Sequence, residues 1–470
     1  MSEPLQRPSD LALNAYAGGG AGTVHGALPE TSARWALRTP PSTLERFLKP
    51  PPSANPHDFL DERVGWAMVV AEAPGFTPEQ LARNEDLCPV LRELLDKRHN
   101  AAVLRYRPSS GHRLTLLRDY SSGRDLDLAG SPIGRAPGAM ARYLLLVGRP
   151  SEDALPWALQ YVLALTRNVG RLPFHPRDDE ARLTPYVRAC LDDWGDAGAD
   201  RHGTLVWSVD HGENDISHLL RMAIGEPVAG KYAADSDLQG KAVRLAEADA
   251  THARLREALA GARPGVIVTT SHGMTGPLGE RTRMAAQLGL PVDHAFEPLP
   301  LAPLLAAWQP DGAIWYAHAC CASGADRGSI FTELFSESPA RQVLQAVGEL
   351  GAQVAPLPLA LLSAARPARA FIGHVEPTFD WTVRQPATGQ FLSAALVESL
   401  YDQIFQSVPI GHALRGWYAP AATHFAAWDA AKRAFDGAEA MKAAVLYHTL
   451  AARDIQTLVL LGDPAVSLPS

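Results

Sequence analysis

The stretch Val266-Ile267-Val268-Thr269-Thr270-Ser271-His272-Gly273 decides the fold when it is set beside Ala313-Ile314-Trp315-Tyr316-Ala317-His318-Ala319-Cys320-Cys321. Each is an apolar, β-branched or aromatic run of the kind that forms a strand buried on both faces. Each ends at a residue with nucleophile or base chemistry, His272 in one and Cys320 in the other. Open α/β sheets build their sites at the carboxyl ends of parallel strands. Two neighbouring parallel strands would thus carry an imidazole and a thiol to one edge. A thiol needs a base within hydrogen-bond reach to become a thiolate near neutral pH.

Working outward, apolar strand-like runs alternate with helical patterns along most of the chain. Strands are expected at 65–71, 102–106, 113–118, 143–147, 205–209, 266–270, 313–317, 370–373 and 458–461. Helical patterns are expected at 77–99, 215–224, 237–259, 338–350, 391–405 and 426–452. This alternation predicts an α/β fold, a parallel sheet with helices on both faces. Residues 1–60 differ, with Gly18-Gly19-Gly20 and Pro50-Pro51-Pro52, and read as an irregular Pro/Gly-rich arm. The expected organisation is this arm, an α/β subdomain over 61–200 and a second α/β domain over 201–470. No repeat of solenoid period is present.

Composition narrows the function. With 46% hydrophobic and 20% charged residues the 470-residue chain is of ordinary globular make-up and long enough for a sizeable core. A net charge of −8 argues against a dedicated nucleic-acid binder. The four cysteines, Cys88, Cys190, Cys320 and Cys321, give no disulfide framework and suggest a reducing, cytoplasmic setting. No apolar run approaches a membrane span, and the first residues lack the apolar core of a signal peptide. His318, Cys320 and Cys321 lack a second ligand pair at metal-site spacing. No phosphate-binding or dinucleotide loop stands in a strand–turn–helix context. No metal and no cofactor are therefore expected.

His272-Gly273 and Ala319-Cys320 together resemble the signature of the caspase-like cysteine proteases, the superfamily of caspases, metacaspases, legumains, gingipains, separases and bacterial CHAT-domain proteases. The two residues stand 48 apart, near the roughly 50 of caspase-type sequences. The caspase pentapeptide is absent, because His318 stands where caspases carry Gln and Cys321-Ala322 follow the Cys. The resemblance is thus to the superfamily, on its bacterial CHAT and gingipain-like branch. Gly462-Asp463-Pro464 after the 458–461 run, and a first α/β half without the catalytic pair, are similar to that branch.

The resemblance implies a caspase-like sheet fold and a Cys–His dyad with no third carboxylate. Cys320 would be the nucleophile, His272 the base, and the backbone N–H groups of Gly273 and Cys320 the oxyanion donors. Cys321 competes for the first role and His211, which also follows an apolar run, for the second. For the substrate pocket it points to Asp210, Asp215, His318, Asp380 and Trp381, with Asp210 or Asp215 meeting a basic side chain. Asp215 alternatively serves only as the N-cap of the helix that starts there. The substrate class implied is a protein or peptide, in bacterial regulated cell death or anti-phage defence, for example a gasdermin-like partner. Nucleic-acid and membrane partners are not expected. The alternative is an inactive caspase-like scaffold that binds a partner, and a small-molecule Cys–His hydrolase or transferase is a third reading.

Overall fold

The computed structural model describes residues 10–13, 24–27, 54–108, 114–385, 387–435 and 437–468. The chain forms two compact units, Met1–Ser53 and Ala54–Ser470. In the first, Asp10–Leu13 pairs antiparallel with Val24–Ala27. The rest of the arm expected over 1–60 lies outside the described residues up to Ala54.

The second unit is α/β and is organised by one mostly parallel sheet of 12 strands. From one edge it runs Ala242–Ala246, Asp200–Ser208, Pro264–Thr270, Ile314–His318, Ala370–His374 and Leu458–Gly462. It continues through Asn168–Leu172, Tyr143–Val147, Trp66–Ala71, Ala102–Tyr106, Leu116–Asp119 and Arg124–Asp127. Strands on either side of residue 200 therefore belong to one sheet. The reversals are Leu458–Gly462 against Ala370–His374 and the two pairings that join Ala102–Tyr106, Leu116–Asp119 and Arg124–Asp127.

The apolar runs form these strands because burial leaves their backbone no partner except another strand. Every residue of Tyr143–Val147, Pro264–Thr270, Ile314–His318, Ala370–His374 and Leu458–Gly462 is buried, which requires cover on both faces. A continuous apolar core runs from Val64 to Leu468 through both groups of strands. Where Leu458–Gly462 meets Asn168–Leu172, a Cβ on Gly170 would lie 2.1 Å from the carbonyl oxygen of Gly462, so only glycine fits there.

Three helical expectations are corrected. Residues 77–99 hold two helices, Pro78–Ala82 and Pro89–Lys97. Residues 237–259 do not form one long helix. Ala242–Ala246 pairs in parallel with Asp200–Ser208 as an edge strand, and the helix is His252–Ala262, started by Thr251, whose side chain accepts the Arg254 N–H. Pairing with a preformed strand outweighs the helical preference of Ala, Arg and Leu. The 426–452 pattern spans two helices, Arg415–Arg433 and Glu439–Thr457, which pack against each other.

Candidate active site

Register places the site. Thr270 is paired with His318 on one side and with Ser208 on the other. Three adjacent parallel strands therefore release the chain at one level. Asp210 and His211 follow the first, His272 and Gly273 the second, and Cys320 the third. The edge is also a switch point. After Ser208 the chain crosses outward to Ala242–Ala246, then returns to the other side as Pro264–Thr270. Such reversals open a crevice at the carboxyl ends of the strands.

Gly273 lies directly against Cys320, for a Cβ on it would stand 1.9 Å from the carbonyl oxygen and 2.9 Å from the nitrogen of Cys320. Among the described residues, neither the Gly273 nor the Cys320 N–H donates to a backbone carbonyl. Neither is drawn into the backbone network at this edge.

Cys320 is partly exposed, and the Thr378 N–H donates to its Sγ at 3.4 Å. Burial of the sulfur pushes the thiol up, and the Thr378 hydrogen bonds only partly offset it, so the resting group is a neutral thiol. Cys321 differs completely. Its backbone is left-handed, with φ of 57°, which separates the paths of the two side chains. Its side chain packs among Met284, Leu288, Ala325 and Val347, and burial drives its thiol well above the ordinary range.

His272 does not stand alone. Its Nε2 lies 2.9 and 3.0 Å from the two carboxylate oxygens of Asp215. Asp215 also caps Ile216–Leu220, accepting the Ser217 N–H at 2.8 Å. Burial raises the Asp215 carboxyl, but hydrogen bonds from Ser217 and His272 outweigh it and hold the group below its usual value. An ionised carboxylate only accepts, so Nε2 carries the hydrogen and Nδ1 keeps the lone pair. That tautomer is the one a proton acceptor needs.

The His211 ring stacks on His272 at 5.5 Å and on Phe296 at 3.9 Å. Its Nε2 lies 3.1 Å from the carbonyl oxygen of Asp293.

The remaining predicted residues are placed as follows. Asp210 accepts from Arg221 Nε at 2.8 Å, from the Gly212 N–H at 2.8 Å and meets His218 Nδ1 at 2.9 Å. A basic substrate side chain would have to displace Arg221 to reach it. His318 is fully buried and meets the Tyr316 hydroxyl through Nδ1 at 2.6 Å, and burial lowers its pKa to about 4. It is a neutral residue of the sheet interior. Asp380 and Trp381 begin the short helical turn Asp380–Thr382; Asp380 is exposed, and Trp381 packs against Phe331, Leu344 and Leu450.

Two contacts escaped the sequence. Thr378, from the loop before Asp380, touches the sulfur, and nothing in the local sequence marks it. Asp215 meets His272 across 57 residues, and its position at a helix start signals only a cap.

No family model matches the chain, and no curated protein matches it in sequence.

Proposed function

We propose that this protein is a cysteine endopeptidase of caspase-like type, with Cys320 as nucleophile and His272 as its base. The observation that carries the reading is the delivery of Cys320 and His272-Gly273 to one sheet edge by paired parallel strands. The Nε2–H tautomer held by Asp215 supports it, because the bare Nδ1 is the nitrogen able to take the thiol proton.

In this reading the Cys320 sulfur attacks the scissile carbonyl carbon as His272 Nδ1 accepts the thiol proton. The N–H groups of Gly273 and Cys320 hold the oxygen of the tetrahedral intermediate, where loss of one donor typically costs about 2.7–4 kcal/mol. The intermediate collapses to a thioester as His272 returns the proton to the leaving amine. Water then attacks the thioester, giving up a proton to His272, and the acid product leaves as the thiol is restored. Asp215 stabilises the imidazolium that forms in each half. Asp210, His318, Asp380 and Trp381 are not needed for these steps. The setting proposed with this chemistry is cytoplasmic and bacterial, with a protein substrate such as a gasdermin-like partner in cell-death or anti-phage defence.

The test is mass-spectrometric mapping of cuts in a diverse peptide library, with wild type beside Cys320→Ala and Cys321→Ala. The expected result is a set of cuts lost in Cys320→Ala and kept in Cys321→Ala. Cuts that survive Cys320→Ala overturn the assignment of the nucleophile. A library left intact by wild type, also when candidate partner proteins are added, favours the scaffold.

A further inference from the structure

We infer that His211, Asp215 and His272 form a binding site for a zinc ion, and that zinc there withdraws His272 from Cys320. The first half stands on geometry; the second rests on the proposed roles of His272 and Cys320. The ligand atoms of the three residues all lie within 4.8 Å of one another.

His211 carries the argument. Its side chain is 2% exposed. Its Nε2 faces the Asp293 carbonyl, which only accepts, so Nε2 bears the hydrogen and Nδ1 is a bare lone pair. That Nδ1 is buried and has no hydrogen-bond partner. The group it faces is Asp215 Oδ1 at 4.0 Å, itself an acceptor. Two acceptors aimed at each other, one of them on a buried ring, leave a gap that a cation placed between them would fill. Phe296 and His272 stack on the His211 ring at 3.9 and 5.5 Å and hold it in this pose.

The donor set is one that zinc takes. Two imidazole nitrogens and one carboxylate oxygen suit zinc, with a fourth position left open to water. Zinc–nitrogen and zinc–oxygen bonds of about 2.0–2.2 Å put two ligand atoms of one tetrahedral ion about 3.3 Å apart. Asp215 and His272 already meet at 2.9 Å, and His211 stands 4.0 Å from Asp215 and within 4.8 Å of the third ligand atom, so it must close in by up to about 1.5 Å. The Asp293 carbonyl on the far nitrogen of His211 is the outer partner that metal-bound histidines usually keep. The site also sits at the switch point of the sheet, where ligands of open α/β folds gather.

Zinc changes His272 by moving one proton. Without the ion, Nε2 holds the hydrogen against Asp215. With zinc on the Nε2 lone pair, the neutral ring carries its hydrogen on Nδ1. The proton passes from Nε2 to Nδ1 through solvent, and none is lost overall. Nδ1–H is a donor and can no longer accept the proton of the Cys320 thiol.

The experiment titrates zinc chloride into metal-free protein against a chromogenic chelator. Wild type, His211→Ala, His211→Gln and Cys320→Ala are compared, with circular dichroism as the check on folding. One zinc per chain is expected in wild type and in Cys320→Ala, and binding weaker by about 100-fold or more in a folded His211 variant. Cobalt(II) in the same site should show d–d absorption without a thiolate charge-transfer band. Saturating zinc should slow iodoacetamide alkylation of Cys320 by about tenfold or more, reversed by chelator. Absence of one-to-one binding, full binding in a folded His211 variant, or a thiolate band that vanishes in Cys320→Ala overturns the site. Unchanged alkylation with zinc bound overturns the brake alone. If zinc binds as expected while no cysteine-dependent cleavage is found, the metal site stands and the peptidase reading falls.

Discussion

At the scale of single residues, the crowding of Gly273 makes a sharp prediction. A methyl at this position meets the Cys320 backbone at 1.9 Å, far inside contact distance. Gly273→Ala must push apart the two segments that hold the base and the thiol. Overpacking of this kind costs about 1–3 kcal/mol of stability. Its larger effect should fall on function, because near-attack geometry is lost with a shift of an ångström. We expect Gly273→Ala to remain folded by circular dichroism while Cys320-dependent cleavage drops by about 100-fold; retention of full cleavage would show that Gly273 is not part of the site. The arrival of the His272-Gly273 and Cys320 segments at one sheet edge was legible in the sequence because parallel strands in register end together. The Asp215–His272 contact was not, since an aspartate that starts a helix is locally sufficient as a cap. Nor was the engagement of Asp210 by Arg221 and His218, which depends on how one short helix turns back over the preceding loop.

At the scale of elements, the helix Glu439–Thr457 brings Asp454 into the sheet interior. There it lies 3.9 Å from His374 Nδ1, with His374 against His318 at 5.1 Å. Burial lowers both imidazoles and raises the Asp454 carboxyl to about 7. An unfolded aspartate loses its proton near the ordinary value of 3.8, whereas the folded one keeps it to about 7. The unfolded state therefore gains from ionisation as pH rises from about 4 to 7, and folding weakens across that window by up to about 4 kcal/mol. Asp454→Asn removes this slope. Melting curves at pH 4.5 and pH 8 should show the variant gaining on wild type at the higher pH; an equal gap at both would mean that Asp454 ionises freely in the fold. Glu376 is also raised by burial to about 7, so the comparison with the variant, not the wild-type slope, isolates Asp454. Strand and helix identities in this half were largely legible from apolar runs and caps. The edge strand Ala242–Ala246 was not, because an edge strand is half exposed and its alternation is blurred by alanine.

At the scale of the whole molecule, Asp463 ties the two groups of strands together. It is fully buried, accepts from Trp66 Nε1 at 3.0 Å and pairs with Arg98 at 3.0 Å. Its own N–H donates to the Tyr186 hydroxyl at 2.7 Å. Replacing it leaves the Arg98 guanidinium buried without its counter-charge, a loss of about 3–5 kcal/mol. Urea unfolding of Asp463→Ala should show a midpoint lowered to match, and a change below 1 kcal/mol would mean that Arg98 finds water or another acceptor. The α/β class and the parallel strands were readable from alternation. The insertion of Leu458–Gly462 between Ala370–His374 and Asn168–Leu172 was not, for a strand carries no mark of its neighbours or its direction when both its faces are apolar. Among the described residues, this seam strand is the latest in the chain and the sole link between the two strand groups. On the ribosome, each group therefore waits with an open edge until residue 462 clears the exit tunnel.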